Sequence, residues 1–160
     1  MKILKELIPY IIILIVVVFV RSFIVTPVIV DGDSMDTTLK NNEILLLKKY
    51  DKSYERFDII VFNYDDTKLI KRIIGLPGEM VEYKDGILYI NGEKVNDSLA
   101  SITTDYSLEQ LDVLKIPDGY YFVLGDNRNN STDSRIIGLI NEKDIYGTTD
   151  FSLWPMKKIK

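Results

Sequence analysis

Two side chains in this sequence could carry covalent catalysis, the hydroxyl of Ser34 and the amine of Lys71. The 160 residues contain no histidine and no cysteine. This composition excludes a Ser-His-Asp triad, a Cys-His pair and every metal site built on histidine or cysteine. A hydroxyl nucleophile in this chain must therefore be activated by a lysine or by a carboxylate.

Lys71 could act as the base only if its pKa is well below the ordinary value. A free lysine, with a pKa of about 10.4, is neutral roughly once in 2,500 molecules at pH 7. Burial or a neighbouring positive charge lowers that pKa. On a strand, Lys71 shares a face with Leu69 and Ile73, whereas Ile70 and Arg72 point to the other face. The apolar face suits a lysine base, but a solvated strand lysine fits the same residues.

Ser34 lies in a polar segment, Asp31–Leu39, that also contains Gly32. A glycine there lets the backbone adopt unusual dihedral angles and approach a ligand closely. A polar turn with a capping serine is the alternative interpretation. The sequence contains no Gly-x-Ser-x-Gly elbow and no Ser-x-x-Lys motif, so two other serine-enzyme classes are excluded.

A third polar segment, residues 125–138, is rich in turn formers and paired charges. It could be a solvated loop or a calcium loop. The EF-hand spacing and its terminal glutamate are absent, and Arg128 and Arg135 would oppose a cation. We therefore predict no metal site and no cofactor.

An apolar run near the N-terminus predicts one membrane span. Leu7–Val20 carries no charge. Fourteen helical residues span only about 21 Å, but flanking Lys5 and Arg21 can snorkel, so a helix over Leu4–Phe23 would cross the membrane. Lys2 and Lys5 precede the run, which predicts a cytoplasmic N-terminus and an extracytoplasmic remainder.

Three alternatives to an uncleaved anchor are disfavoured. A buried core helix would not be apolar on all faces, a cleaved signal peptide would be followed by a small-x-small site, and a monotopic anchor needs a polar face. The net charge of −4 also argues against a nucleic-acid partner.

The remainder of the chain reads as a series of short strands. Asp85-Gly86 and Asn91-Gly92 are strong hairpin signals. Pro27 indicates that the first strand lies at a sheet edge. The predicted strands are Phe23–Val30, Ile44–Leu47, Asp58–Asn63, Lys68–Gly75, Met80–Lys84, Ile87–Ile90, Tyr120–Leu124 and Ile145–Leu153. These strands predict a mainly β fold of short antiparallel strands behind one transmembrane helix.

Two segments remain without a clear strand pattern. Asn96–Leu114 is polar and mixed, which predicts an excursion with weak structure. Trp154 is predicted to be a core aromatic of a terminal strand, with contact to the membrane surface as the alternative.

Together, the segment that carries Ser34, the segment that carries Lys71 and the segment 125–138 resemble those of the bacterial type I signal peptidases (leader peptidases), which are membrane-anchored serine proteases with a Ser-Lys dyad. Ser34–Leu39 matches the family motif Ser-Met-x-Pro-Thr-Leu at all but one position. Lys71–Glu79 resembles Lys-Arg-x-x-Gly-x-Pro-Gly-Asp. Gly125–Gly138 meets Gly-Asp-Asn-Arg-x-x-Ser-x-Asp-Ser-Arg-x-x-Gly in full. The chain looks like a minimal Gram-positive form.

The resemblance implies a role for each matching residue. Ser34 would be the nucleophile and Lys71 the general base, with Ser131 hydrogen-bonded to the lysine amine. Arg72 would pair with Asp126, and Asp133 with Arg135. The residues that would line a pocket for small substrate side chains are Val30, Met35, Leu39, Leu69 and Ile70.

Several positions depart from the family pattern. Thr37 stands where proline is usual, Phe57 where glycine is usual, and Glu79 where aspartate is usual. Thr37 could loosen the turn that presents Ser34. Some members place a hydroxyl two residues before the nucleophile, but Gly32 occupies that position, so we expect the backbone N–H of Ser34 to serve the oxyanion.

The resemblance predicts a membrane-bound endopeptidase that cleaves signal peptides after small residues of the Ala-x-Ala type. Residues 1–24 would form the cytoplasmic tail and anchor, and residues 25–160 the extracytoplasmic catalytic domain in the plasma membrane. Its partners would be preproteins, the bilayer and the secretion translocon. A catalytically silent tethered β-domain that binds secretory chains is the alternative. A self-cleaving repressor is disfavoured, because a span occupies the place of its DNA-binding helices.

Overall fold

The N-terminal segment forms one long apolar helix. The computed structural model describes residues 2–159, and side chains from residue 6 onward. Helix α1 spans Lys2–Phe23, and its stretch Glu6–Phe23 is long and apolar enough to cross a membrane. None of that stretch is buried against the protein. So large an exposed apolar surface requires an apolar surrounding or a partner.

Thirteen strands follow in the described part of the chain. They are β1 (Val25–Ile29), β2 (Ile44–Lys48), β3 (Ile59–Tyr64), β4 (Thr67–Gly75), β5 (Val81–Lys84), β6 (Ile87–Ile90), β7 (Glu93–Val95), β8 (Tyr106–Ser107), β9 (Tyr120–Leu124), β10 (Ile140–Asn141), β11 (Ile145–Thr149), β12 (Phe151–Trp154) and β13 (Met156–Lys158). A short helix α2 (Ser134–Ile137) and three 3₁₀ helices, Ala100–Ile102, Leu108–Leu111 and Glu142–Asp144, lie between them.

The strands form two antiparallel sheets. The large sheet has nine strands in the order β10-β9-β4-β3-β11-β2-β12-β13, and β1 pairs with β2 beside this path. The small sheet has the order β7-β6-β5-β8. The prediction of a mainly β fold with an N-terminal apolar helix is confirmed.

The two predicted hairpins build the small sheet. Asp85 and Gly86 connect β5 to β6 with φ of 51° and 72°, and Asn91 and Gly92 connect β6 to β7 with φ of 53° and 81°. Two consecutive residues of positive φ are typical of the type I′ turn that suits the twist of a hairpin.

Strand β4 lies in the centre of the large sheet but has one partly open edge. It pairs with β3 along Thr67–Arg72, whereas β9 joins its other edge only from Arg72 onward. Strand β1 pairs only with β2, so it is an edge strand as Pro27 predicted. Unpaired strand edges can accept a further strand.

Three apolar clusters hold the sheets together. One lies between the small sheet and the face of β4 and β9 that carries Ile74, Phe122 and Leu124. A second contains Ile70 of β4 together with Met35 and Leu39 from the loop that follows β1, called here the nucleophile loop because it carries the predicted nucleophile Ser34. The third surrounds Ile73 on the opposite face of β4. Strand β4 therefore contributes to every core and is held rigidly.

The expectation of weak structure in Asn96–Leu114 is wrong. The segment contains β8 and two 3₁₀ helices, and Ala100, Tyr106 and Leu108 are buried in the cluster beneath the small sheet. These apolar residues reach one cluster from different short elements, so they do not follow the regular spacing of a single helix or strand. The sequence pattern therefore did not reveal them.

The C-terminal strand also differs from its prediction. The expected strand Ile145–Leu153 is divided at Asp150 into β11 and β12, and β13 pairs with β12. Trp154 is 70% exposed, so its prediction as a core aromatic is wrong. The two-strand ribbon β12-β13 ends the sheet, and only part of its surface contacts the core.

Candidate active site

The loop after β1 and the middle of β4 bring Ser34 and Lys71 together. Lys71 Nζ donates hydrogen bonds to Ser34 Oγ, at 2.7 Å, and to the carbonyl oxygen of Ile70, at 3.0 Å. The Lys71 side chain is 1% exposed. A buried amine within hydrogen-bond distance of a hydroxyl is the arrangement that a nucleophile and its base require.

Burial is the main cause of a lowered pKa at Lys71. It brings the pKa from 10.5 to about 8, because the low-dielectric interior disfavours the ammonium. The charges of Asp133 and Asp126 act in the opposite direction and favour the ammonium. At pH 7 a lysine with this pKa is neutral in about a tenth of the molecules.

Two arginines balance the carboxylates near Lys71. Arg72 binds Asp126 with Nε–Oδ1 at 2.8 Å and Nη2–Oδ2 at 2.6 Å. Arg135 binds Asp133 with Nε–Oδ1 and Nη2–Oδ2 both at 2.8 Å. Both carboxylates are fully buried. Bidentate pairing gives each carboxylate a nearby positive charge, which limits its pull on the lysine proton.

The segment after β9 also holds the nucleophile loop. Asn127 donates from its backbone N–H to the carbonyl of Ser34, at 3.0 Å, and from Nδ2 to the carbonyl of Asp33, at 3.1 Å. Asp126 N–H points to Met35 Sδ at 3.4 Å. Contacts to three consecutive loop residues fix the position of Ser34 relative to β4.

The predicted hydrogen bond between Ser131 and Lys71 is not formed. Ser131 Oγ is buried and has no hydrogen-bond partner among the described residues. It lies against Gly125, where a Cβ would be 2.1 Å from Ser131 Oγ and 2.5 Å from the carbonyl oxygen of Ser34. Gly125 is therefore required for this close approach, and Ser131 keeps an unused hydroxyl next to the nucleophile loop.

The backbone around Ser34 can accommodate an oxyanion. The Ser34 N–H makes no hydrogen bond within residues 2–159. Gly32 has φ of 93° and donates its N–H to Asn41 Oδ1, at 3.1 Å. That positive φ favours glycine, so the position that carries a hydroxyl in some relatives has a structural role here.

A narrow cleft leads to the dyad between the end of β1 and the open edge of β4. Its cavity has a volume of about 60 Å³, roughly the space of two water molecules. Four of the five predicted pocket residues line it, namely Val30, Met35, Leu69 and Ile70. Leu39 does not, because it is fully buried in the cluster behind Met35.

One buried ion pair and one partly buried ion pair were not predicted. Arg128 Nη1 binds Asp97 Oδ2 at 2.7 Å and Thr103 Oγ1 at 2.6 Å, which ties the segment after β9 to the excursion. Arg56 binds Glu79 in a bidentate pair. Their partners lie 31 and 23 residues apart. Arg128 lies in the segment 125–138 that the sequence analysis identified as rich in charges, but no local pattern indicates that Asp97 is its partner.

Two of the departures from the family pattern adopt positive φ. Thr37 has φ of 99° and Phe57 has φ of 72°. Glycine is usual at position 57, and a glycine adopts such a φ without strain. Proline, usual at position 37, has φ near −65° and could not adopt this conformation. The loop after Ser34 is therefore shaped differently from one that holds a proline.

Comparisons with known proteins point to one family. Residues 4–154 match the family described as "Signal peptidase, peptidase S26". "Signal peptidase I S" of Bacillus subtilis is 42% identical over 153 residues, covering 88% of this chain and 83% of that protein. "Signal peptidase IB" of Staphylococcus aureus is 36% identical over 179 residues, covering 98% and 94%.

A solved structure agrees with these matches. The crystal structure of a signal peptidase I from Enterococcus faecalis V583 is 42% identical in sequence and superposes with a TM-score of 0.57. The superposition covers 60% of this chain and 96% of the Enterococcus faecalis chain.

Proposed function

Since the chain belongs to the signal peptidase family, peptidase S26, we propose that Ser34 and Lys71 form a Ser-Lys dyad that removes signal peptides from exported preproteins. The serine peptidase class predicted from the motifs is confirmed by the family. The observation that carries the dyad is the 2.7 Å contact between Ser34 Oγ and the buried Lys71 Nζ.

The reaction begins with proton transfer from Ser34 Oγ to the neutral amine of Lys71. Oγ attacks the peptide carbonyl carbon and forms a tetrahedral intermediate. Lys71, now an ammonium, gives its proton to the leaving amine as the C–N bond breaks. A water molecule then gives a proton to the neutral Lys71 and attacks the acyl carbon. The bond between that carbon and Ser34 Oγ breaks, Oγ takes the proton back from Lys71, and the signal peptide leaves with a new carboxyl group.

The Ser34 N–H is our candidate donor to the developing oxyanion. It has no other acceptor among the described residues, so no existing bond must break first. Ser131 remains a candidate positioning residue for Lys71. Its unpaired, buried hydroxyl lies beside the Ser34 backbone, and a hydrogen bond to the amine would satisfy it.

The substrate is proposed to bind as an extended strand between β1 and β4. Residues 67–71 of β4 have no strand partner on the β9 side among residues 2–159, so a peptide can pair there by β-augmentation. The 60 Å³ cavity beside the dyad is small enough to favour alanine-sized side chains. These features support cleavage after Ala-x-Ala.

Residues 1–24 are proposed to anchor the catalytic domain, residues 25–160, to the plasma membrane. Helix α1 exposes apolar side chains on all sides of its stretch Glu6–Phe23, and Lys2 and Lys5 precede that stretch in the sequence. By the positive-inside rule this charge places the N-terminus in the cytoplasm. The catalytic domain then faces the emerging preprotein, and the translocon that delivers it is a proposed neighbour.

The test is cleavage of a preprotein that carries Ala-x-Ala before its cleavage site, by the detergent-solubilised full chain. We expect one cut by the wild type, and losses of at least about 10³-fold in kcat/KM for Ser34→Ala and for Lys71→Ala. Ser101→Ala and Lys115→Ala, at exposed positions, are the matched controls. Binding without cleavage by the wild type would instead identify the silent tethered domain.

A further inference from the structure

A second cavity lies where helix α1 meets the β-domain. It has a volume of about 420 Å³. We call it the junction cavity, and it is lined by Arg21, Ser22, Thr26, Pro27, Val28, Lys49, Lys68 and Tyr146. Lys49 Nζ donates to the last carbonyls of the helix, those of Arg21 and Ser22, at 3.1 and 3.2 Å. The cavity is therefore attached to the end of the membrane segment.

The charges on the junction cavity are all positive. Arg21, Lys49 and Lys68 line it, and no aspartate or glutamate does. Within the described residues, none of these three cations forms a salt bridge. In a chain of net charge −4, three such cations on one cavity are a local exception. Their mutual repulsion is relieved when an anion binds between them.

The ring of Tyr146 contacts two of these cations, Lys49 and Lys68. Lys49 Nζ is 4.6 Å and Lys68 Nζ 4.5 Å from the centroid of its ring. The Lys49 ammonium beside the phenol lowers the pKa of Tyr146, and the charges of Lys68 and Arg21 act in the same direction. One aromatic ring thus holds two ammonium groups in place, which reduces the entropy lost when they bind a common anion.

The junction cavity adjoins the substrate cleft. Val28 and Lys68 line both. A group bound in the junction cavity would therefore lie next to the end of the cleft that Val28 and Lys68 form.

We propose that the junction cavity binds the phosphate of an anionic phospholipid headgroup in the leaflet that surrounds the end of α1. Arg21, Lys49 and Lys68 would donate to the phosphate oxygens, and the Tyr146 hydroxyl is a further donor. Such binding fixes the height and tilt of the catalytic domain over the bilayer. This proposal rests on the membrane anchoring proposed above.

A lipid is favoured over a free anion because of position. The cavity begins at Arg21, the last charged residue of a helix whose preceding stretch is apolar on every side. Once α1 crosses a bilayer, Arg21 and Lys49 lie at the depth of the headgroups. Basic residues at that depth attract anionic lipid headgroups.

The test measures lipid binding with the full-length Ser34→Ala variant, so that catalysis does not affect the result. The protein is reconstituted in nanodiscs that contain phosphatidylglycerol and phosphatidylcholine, released into detergent, and examined by native mass spectrometry. We expect a phosphatidylglycerol adduct whose affinity falls about tenfold or more in Lys49→Gln/Lys68→Gln. The control Lys84→Gln/Lys115→Gln removes the same charge from exposed positions and should retain the adduct.

Further arms separate the possible outcomes. Displacement of the lipid by an equal concentration of inorganic phosphate would overturn the lipid proposal in favour of a free-anion site. Equal adducts in both double variants, or no adduct at all, would overturn the site. Flotation with pure phosphatidylcholine vesicles tests the anchor alone. A chain that does not float refutes the anchor, whereas one that floats without an adduct refutes only the junction cavity.

Discussion

The proposed chemistry of the dyad depends on the fraction of molecules in which Lys71 is neutral. Its pKa of about 8 follows chiefly from burial, against the pull of Asp133 and Asp126. Because Arg135 and Arg72 bind those two carboxylates, their effect on the lysine is limited. The surroundings of Lys71 therefore favour the neutral amine that the proposed dyad requires.

The pH dependence of kcat/KM should report this lysine. Its neutral form is the base, so activity should rise with pH through an acidic limb near pH 8. The measurement is a pH–rate profile with a preprotein substrate. A limb that stays near 10.4, the value of a free lysine, would contradict a buried base.

Burial of Lys71 should also lower the free energy of unfolding at neutral pH. Its pKa is about 8 when folded and 10.5 when unfolded, so the unfolded chain binds more protons between these values. Stability then increases as the pH rises from 8 to 10.5. Lys71→Met should abolish activity and raise the free energy of unfolding at pH 7, by up to about 3 kcal/mol.

The comparison is made by chemical denaturation at pH 7 and pH 10. The advantage of Lys71→Met should shrink at pH 10, where the wild-type lysine is neutral in the fold. Lys115→Met, at an exposed position, should show no such change. A less stable Lys71→Met at pH 7 would show that the buried amine contributes more through its hydrogen bonds than it costs through burial.

Among the structural elements, the nucleophile loop is the strained one. Thr37 is β-branched and has φ of 99°, in a region that such residues rarely occupy. Its N–H donates to Asp36 Oδ1 at 2.7 Å, and Asp36 also binds Lys40. Local side-chain contacts thus hold the loop at the position where the family motif has a proline. Because a proline cannot adopt a φ of 99°, the backbone of this loop differs from one that contains the motif proline.

Substitutions at Thr37 should separate strain from side-chain chemistry. Thr37→Gly should raise the free energy of unfolding by about 1 kcal/mol, because glycine adopts positive φ without a Cβ clash. Thr37→Pro should lower it, since φ near −65° is incompatible and the bond to Asp36 is lost. Thermal unfolding measures both. Thr38→Gly, at a position without positive φ, should destabilise, and the same gain there would argue against strain at Thr37.

At the scale of the whole molecule, helix α1 and the β-domain are joined by a short connection that hydrogen bonds hold on both sides. The N–H of Ile24 donates to the carbonyl of Val20, and that of Lys49 to the carbonyl of Ile24, both at 2.9 Å. Together with the contacts of Lys49 Nζ, these bonds couple the orientation of the domain to that of the helix. Helix α1, the proposed anchor, therefore also orients the cleft.

The orientation can be tested because the chain has no cysteine. In intact cells, a membrane-impermeant maleimide should label Ser101→Cys, which lies on the exposed side of the β-domain. It should label Ile3→Cys only after permeabilisation, because the proposed topology places the N-terminus in the cytoplasm. Mass spectrometry of the labelled protein measures both, and the reverse pattern would refute the proposed topology.

Local patterns identified most of the strands. Alternating and β-branched runs located β2, β3, β4 and β9 to within a residue or two, and Asp85-Gly86 and Asn91-Gly92 specified both hairpins. These features depend on neighbouring residues, whose steric limits are written into the sequence. The same holds for α1, because its uncharged apolar run can be recognised from the sequence without knowing how the rest of the chain folds.

Distances across the fold could not be obtained in that way. The proximity of Ser34 and Lys71, the pair of Arg128 and Asp97, and the unpaired hydroxyl of Ser131 all depend on contacts between segments far apart in sequence. Residue types and motif order specify which groups are available. Burial, pKa and hydrogen bonding arise only when β4, the nucleophile loop and the segment after β9 are packed against one another, because each is a property of the surroundings rather than of the residue.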